Sequence, residues 1–184
     1  MRANGRYRRA LIAYPDPGLA AERVGLRRWH PHDLPLVADA SHDRGLVRAT
    51  TLPDPYSDVE GLAFIERQWS RAASGAGLSL AIEETRAARA VGGASLMLRR
   101  PGVADLGYWL LRDARGRGLA RETVELLVPW ALDALGVEAI EAFVQPENRG
   151  SRRLLETCGF VITGSEWHEV GRISDELLVY RRDR

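Results

Sequence analysis

Leu106-Gly107-Tyr108-Trp109-Leu110-Leu111-Arg112-Asp113-Ala114-Arg115-Gly116-Arg117-Gly118-Leu119-Ala120 decides how this chain reads. Its first half is apolar and aromatic between polar flanks and predicts a strand. Its second half sets two glycines and two arginines side by side, Arg115 to Gly118, and predicts a tight turn. Val124, Leu127, Val128 and Ala131 then recur at helical spacing, so a helix follows from Leu119 to about Leu135, where Gly136 stops it. Pro129 removes one backbone donor inside that helix and predicts a kink over residues 125–129.

A strand, a glycine turn and a helix in this order suit an anion. The first N–H groups of a helix lack partners, and its dipole places partial positive charge there. Glycines let the backbone curl against a ligand, and two arginines add charge. The turn suits a phosphate or pyrophosphate. It is not a P-loop, because no Gly-Lys-Ser/Thr follows, and the third glycine of the dinucleotide fingerprint is absent.

Arg115-Gly116-Arg117-Gly118-Leu119-Ala120 fits R-x-x-G-x-A, which resembles the pyrophosphate loop of the GNAT superfamily of acetyl-coenzyme A-dependent acyltransferases. Further on, Asn148-Arg149-Gly150-Ser151-Arg152-Arg153-Leu154-Leu155-Glu156-Thr157-Cys158-Gly159-Phe160 resembles the later segment of that family, N-x-x-S-x-x-L-L-E-x-x-G-F. The two segments stand in the right order at the right spacing. The Asn148/Ser151 version is most similar to the branch of bacterial ribosomal-protein N-terminal acetyltransferases (RimJ/RimL-like). The resemblance covers roughly Val24 to Tyr180. It leaves residues 1–23 as an N-terminal arm and 24–184 as one acetyltransferase domain.

The resemblance implies a function and a set of roles. The reaction is acetyl transfer from acetyl-coenzyme A to a primary amine, a protein N-terminus or a small molecule, directly in a ternary complex. Backbone N–H groups of Arg115, Gly116, Arg117, Gly118, Leu119 and Ala120 would hold the pyrophosphate, with the guanidinium of Arg115 or Arg117 beside it. Backbone groups of Leu110 and Leu111 would pair with the pantetheine arm, and a backbone N–H of the same strand would meet the oxyanion. The Asn148 amide can both donate to and accept from a pantetheine amide, and asparagine also caps helices. Ser151, one helical turn on, would protonate the leaving thiolate or support the helix start. Asp105 is the candidate base, with Glu83, Glu84 or a water chain as rivals. Of Tyr108 and Trp109, one should line the acceptor cleft and the other enter the core. Such proteins are often homodimers. A non-catalytic module that binds coenzyme A or a protein partner on the same fold stays open as the second reading.

The chain has 184 residues with a formal net charge of +1 and 45% hydrophobic residues. That is enough for one domain with its own core, and it gives no overall pull toward nucleic acid or membrane. No apolar run approaches the ~18 residues of a membrane span. All 26 basic residues are arginine, so no lysine nucleophile exists. The single cysteine, Cys158, reads as a core residue; it permits no intrachain disulfide and suits a reducing cytoplasm. The four histidines, His30, His32, His42 and His168, form no metal-ligand pattern, so no metal is expected.

The remaining elements follow from local pattern. In the arm, Arg8–Ala13 predicts a short strand and Pro15-Asp16-Pro17-Gly18 a turn. Residues 24–29 alternate as a strand, and Asp33 opens a helix through about Ala40. Residues 41–56 read as a loop, and the resemblance makes them the acceptor-specificity loop. Ser57 with Glu60 forms a capping box before a helix to about Ala73, with Leu62, Ile65 and Trp69 on one face. Residues 78–84, 90–99 and 104–111 predict three antiparallel strands, 137–144 a strand, 148–158 a short helix, and 160–163 and 174–181 the last strands. The predicted class is α+β (mixed α/β): a mostly antiparallel sheet of 6–7 strands, helices on both faces, and a right-handed crossover joining one parallel pair. The GNAT resemblance adds that this pair splays apart.

Overall fold

The computed structural model describes residues 11–184. The strand predicted over Arg8–Ala13 begins outside these residues, and residues 11–13 form no strand. The elements run β1 (Leu19–Ala20), β2 (Val24–Arg27), α1 (Leu34–Ser41), α2 (Arg44–Ala49), α3 (Asp58–Ala73), β3 (Gly77–Glu84), β4 (Arg89–Arg100), β5 (Val103–Leu110), α4 (Leu119–Ala134), β6 (Ala139–Val144), α5 (Arg149–Thr157), β7 (Val161–Val170) and β8 (Ile173–Asp183). They build one eight-stranded sheet in the order β1-β2-β3-β4-β5-β6-β8-β7. Every described pairing is antiparallel except β5 with β6.

The eighth strand, beyond the 6–7 expected, is β1. Leu19 pairs with Leu26, and Leu19 packs on the core with Ile12 and Tyr14. Ile12 N–H donates to Ala72 C=O at 3.0 Å. The described part of the arm therefore lies against the domain. Residues 41–56 are not the continuous loop expected: α2 starts at Arg44 because Asp43 caps it, its Oδ1 accepting from Gly45 and Leu46 N–H. That cap satisfies helix donors that only a short apolar pair, Leu46 and Val47, would otherwise have to justify.

Both faces of the sheet are covered, and strand alternation decides which side chain goes where. In β3, Leu78, Leu80 and Ile82 join the core under α4, while Ala81 joins the core under α1 and α3. Helix α4 inserts Val124, Leu127, Val128 and Ala131 into the first core. Each buried aliphatic side chain of this size contributes roughly 1.5–3 kcal/mol. The helix runs unbroken across Pro129, which sits on its exposed side. In α3 the buried stripe is Gly61, Phe64, Ile65, Gln68 and Ala72 rather than the Leu62-Ile65-Trp69 face; Leu62 is exposed. Ser57 Oγ accepts Glu60 N–H at 3.2 Å, as its motif predicts. Among the described residues no helix is long and apolar enough to cross a membrane.

Candidate active site

The site begins where the sheet fails. Strands β5 and β6 pair through Val103↔Ala139, Ala104↔Ile140 and Asp105↔Glu141, and no further. Beyond that rung β5 continues to Leu110 while β6 stays with β8, so a gap opens in the sheet. Leu111 N–H donates to Val91 C=O of β4 at 2.9 Å. Backbone alternation then turns the N–H and C=O groups of Gly107 and Trp109 toward β4, and those of Leu106, Tyr108 and Leu110 toward the gap. This revises the expected pantetheine edge. Leu111 has spent its N–H on β4, and Leu110 C=O accepts from Arg115 Nε at 2.9 Å. The open groups belong to Tyr108, with Leu106 C=O and Leu110 N–H; Leu106 N–H faces Glu141 C=O across the last rung of the pair.

One end of the gap runs into the glycine turn. A 3₁₀ turn, Arg112–Ala114, leads from β5 to Arg115. Gly116 and Gly118 both take positive φ, 73° and 78°. Only glycine adopts this without strain, and it lets two successive bends fit before α4 starts at Leu119. Gly118 is the N-cap and brings no capping side chain, so the first N–H groups of α4 stay open. The two arginines of the turn are braced from outside. Arg115 Nη2 bonds Asp43 Oδ2 at 2.8 Å, and Arg117 pairs with Glu84. A third arginine, missed by the sequence reading, completes the brace: Arg23 donates to Arg117 C=O at 2.9 Å and pairs with Glu122 at 2.8 Å. It stands just before β2 and meets the turn only through the fold.

From the gap a cavity of about 290 Å³ passes through the sheet. Its floor is a row of small residues, Ser79 opposite Ser95 and Ser95 opposite Gly107. Trp29, Phe64 and Trp109 wall one side, Trp29 packing on both others with centroids 5.4 and 6.2 Å away. Gln68 and Arg71 reach in from α3, and Arg99, Asp105, Phe143 and His168 stand opposite. The β7–β8 hairpin roofs it. Arg172 N–H donates to Arg48 C=O at 2.7 Å, fixing the hairpin tip on the end of α2.

At the gap, Tyr108, Asn148 and Ser151 meet. Asn148 caps α5, its Oδ1 accepting Ser151 N–H at 3.1 Å, which leaves its amide nitrogen without a protein acceptor among the described residues. The Tyr108 hydroxyl is buried and has no hydrogen-bond partner among the described residues. Burial pushes its pKa up to about 12; the nearby Ser151 hydroxyl works the other way without forming a hydrogen bond of normal geometry. Both Tyr108 and Trp109 line the cavity, from opposite faces of β5, because the gap exposes both faces. Cys158 is buried in the core.

The carboxylates differ sharply in position. Glu83 is held by Arg27 at 2.6 Å, and Glu84 braces Arg117; neither lines the cavity. Asp105 does line it. Burial raises its pKa, opposed by Arg100 at 3.2 Å and Arg99 at 3.6 Å. His168, which carried no signal in the sequence, enters from β7 with its ring stacked on Phe143 at 3.8 Å. Burial first, and then the Arg99 charge, lower its pKa below the ordinary histidine value, while Asp105 and Glu166 act against them. A neutral imidazole and a shielded carboxylate thus line the same cavity. Among the described residues no group of three or more metal-ligating side chains converges.

Residues 23–161 match the family described as Acetyltransferase (GNAT) domain. The uncharacterized N-acetyltransferase p20 of Bacillus licheniformis is 27% identical over 145 residues, covering 77% of this chain and 81% of that protein. Among solved structures, Mycobacterium smegmatis RimJ in complex with CoA-disulfide aligns with TM-score 0.76 at 22% identity, over 87% of this chain and 81% of that one. The ribosomal-protein-S5-alanine acetyltransferase of Vibrio fischeri aligns with TM-score 0.75 at 16% identity, over 90% and 96%. At these identities the two structures speak for the fold alone. The family match itself runs from Arg23 through β5, the glycine turn, α4 and α5, and with it this chain belongs to the GNAT family of acetyltransferases.

Proposed function

We propose that this protein transfers an acetyl group from acetyl-coenzyme A to a primary amine, directly within a ternary complex. The observation that carries the proposal is the gap after Asp105↔Glu141, with unpaired strand backbone leading to open helix N–H groups at one end and to a cavity at the other. The fit to the coenzyme is specific in kind. Its pyrophosphate asks for N–H groups at a helix start, and its pantetheine amides ask for an unpaired strand edge. When bound, it supplies an acyl group activated as a thioester.

The residues divide the rest. Backbone N–H groups from Gly116 to Ala120 hold the diphosphate, while Arg115, Arg117 and Arg23 keep the turn in shape. Tyr108, the Leu106 C=O and the Leu110 N–H present the strand edge, and the Asn148 amide nitrogen offers one more donor. An N–H of this edge faces the carbonyl oxygen that gains charge. His168, neutral near pH 7, takes the amine proton, with Asp105 beside it. Ser151 and Tyr108 face the sulfur side. A thiol is a stronger acid than a phenol held this high, so Tyr108 steadies the thiolate as a hydrogen-bond donor and keeps its own proton.

Calorimetric titration with acetyl-coenzyme A tests the reading, on the native protein and on Gly118→Pro. Proline cannot take the positive φ of Gly118 and removes an N–H, so binding should weaken at least about tenfold in a variant that keeps its circular dichroism spectrum. The native protein should bind at micromolar levels. No binding up to millimolar levels would sink the proposal. Binding without turnover of any amine would leave the non-catalytic module.

A further inference from the structure

We propose that the acceptor amine carries an oxyanion, a carboxylate or a phosphate, and that Arg71 receives it at the α3 wall of the cavity. This rests on the acetyl-transfer reading and names its substrate class.

Arg71 is half-buried in the last turn of α3 and lines the cavity. Its one protein acceptor among the described residues is neutral: Nη1 donates to Gln68 Oε1 at 2.6 Å. Gln68 is 1% exposed, and its Nε2 is tied to Phe64 C=O at 2.7 Å, so the support cannot swing away. No carboxylate among the described residues comes within 4.0 Å of Arg71, and residues 1–10 contain no Asp or Glu to supply one. Tyr14, the one acidic hydroxyl acting on it, is itself held neutral by burial. Arg67 and Arg99 add repulsion, and burial with these two lowers the Arg71 pKa.

The situation is unusual in this protein. Arg27, Arg99, Arg100, Arg115, Arg117 and Arg181 all have carboxylate partners. Arg152 and Arg182, also shielded, donate to the backbone C=O of Pro146 and Cys158. A shielded cation without a counter-ion costs stability, and a fold that keeps one beside an open cavity leaves its planar fork of donors for an incoming anion. The remaining cavity charge does not cancel it, because Asp105 already answers to Arg99 and Arg100. The small-residue floor, Ser79, Ser95 and Gly107, runs from β3, on which α3 packs, to the gap in two strand spacings, about 10 Å. Ser95 Oγ has no protein partner among the described residues and adds a polar group midway. An acceptor with its anion at Arg71 therefore lies with its amine toward the gap, while polyamine-like acceptors meet net repulsion.

The test compares matched amines that differ in one charge: an amino acid against its carboxamide, and an aminoalkyl phosphate against the aminoalkyl alcohol. The native enzyme should favour the anionic member of at least one pair by about tenfold or more in kcat/KM, a modest yield for a charge-assisted pair. Arg71→Gln should pull that ratio toward one, and Arg71→Lys should restore part of it. The two pairs separate carboxylate from phosphate. A second readout needs no turnover. At constant ionic strength, inorganic phosphate or acetate should raise Tm of the native protein more than that of Arg71→Gln, and Arg71→Gln alone should melt no lower than native. Turnover that prefers the neutral or cationic amines overturns the anion site and spares acetyl transfer. An anion-dependent Tm difference in a protein that acetylates nothing does the reverse. Equal Tm responses in both proteins overturn the anion site.

Discussion

Asp105 of β5 and Glu141 of β6 form the last rung of the parallel pair, and one guanidinium, Arg100, bonds both carboxylates. Two like charges side by side, each under 10% exposed, need that cation between them. Arg181 holds the other oxygen of Glu141 at 2.8 Å. The point where the sheet opens is thus an ion-pair clasp. Below it backbone hydrogen bonds hold the strands together, and above it they part.

Removing the clasp should show in stability and in its pH dependence. Arg100→Met leaves Asp105 and Glu141 facing each other. Arg100 is itself nearly half exposed, so the cost is discounted for solvent to about 1–3 kcal/mol. The Asp105 pKa is already raised in the native fold, so its contribution is fully present below the ordinary carboxylate value and is lost as pH rises through the folded value. The variant enlarges that rise. Thermal melts should show a larger loss relative to native at pH 8 than at pH 4.5. A loss equal at both pH values would show that the two carboxylates do not press on each other.

Tyr108 should separate stability from catalysis. Its buried hydroxyl has no partner among the described residues, so Tyr108→Phe deletes an unsatisfied group and should leave stability unchanged or raise it by up to about 1 kcal/mol. If the hydroxyl steadies the thiolate, kcat should fall by about 10–100-fold while the acetyl-coenzyme A Kd stays within a few-fold. Ser151→Ala should fall less alone, and the double variant should fall less than the product of the two, because both hydroxyls serve one sulfur. Stopped-flow turnover and melting curves on the same preparations decide it; an unchanged kcat in Tyr108→Phe removes the residue from the mechanism.

What the chain revealed unaided was local. The strand from Leu106, the positive-φ glycines at 116 and 118, the α4 periodicity and the Asn148 cap all lie within a dozen residues of what they act on, and each left a readable pattern. Six-residue α2 left too little periodicity to register, although Asp43 before Arg44-Gly45 was a usable cap signal. The face of α3 is ambiguous in sequence because Leu62 and Phe64 fit neighbouring stripes about equally, and only the sheet beneath chooses between them. The site's remoter members had no local signature at all. Arg23 at the glycine turn, Arg71 at the α3 wall of the cavity and His168 near Asp105 come from three parts of the chain that topology alone brings together. Leu111 lost its expected open N–H for a related reason, since β4 and not the sequence decides which edge of β5 is spent.

His168 makes a prediction in pH. Burial and Arg99 lower its pKa, so the imidazole stays neutral to below its ordinary value near 6.5. As a base it should keep kcat/KM flat down through pH 6.5, with the acid limb falling below that value. The same shift bears on folding. The unfolded chain binds this proton more readily, so the His168 contribution is complete above pH 6.5 and is lost as pH falls through the folded value. His168→Gln should cut kcat/KM by about 10²–10⁴-fold and remove that limb. An acid limb that persists unmoved in the variant assigns the proton transfer to Asp105.

Gly171 tests the roof of the proposed acceptor cavity. It turns the β7–β8 hairpin with φ of 62°, and an added Cβ would stand 2.4 Å from Thr50 N, 2.6 Å from Ala49 C and 2.7 Å from Arg48 O. All three are backbone atoms at the end of α2, which cannot give way as a side chain tip would. Gly171→Ala must therefore lift the hairpin from α2, breaking the Arg172 N–H bond to Arg48 C=O, besides paying about 1–2 kcal/mol for the strained φ. The proposed coenzyme edge, on β5 and α4, lies away from this contact. Binding of acetyl-coenzyme A should stay within about twofold of native, while KM for the acceptor should rise by about tenfold or more as His168 and Ile173 shift with the hairpin. Titration calorimetry and acceptor kinetics on Gly171→Ala measure the two halves separately. An acceptor KM that stays put would mean that the hairpin covers the cavity without shaping it.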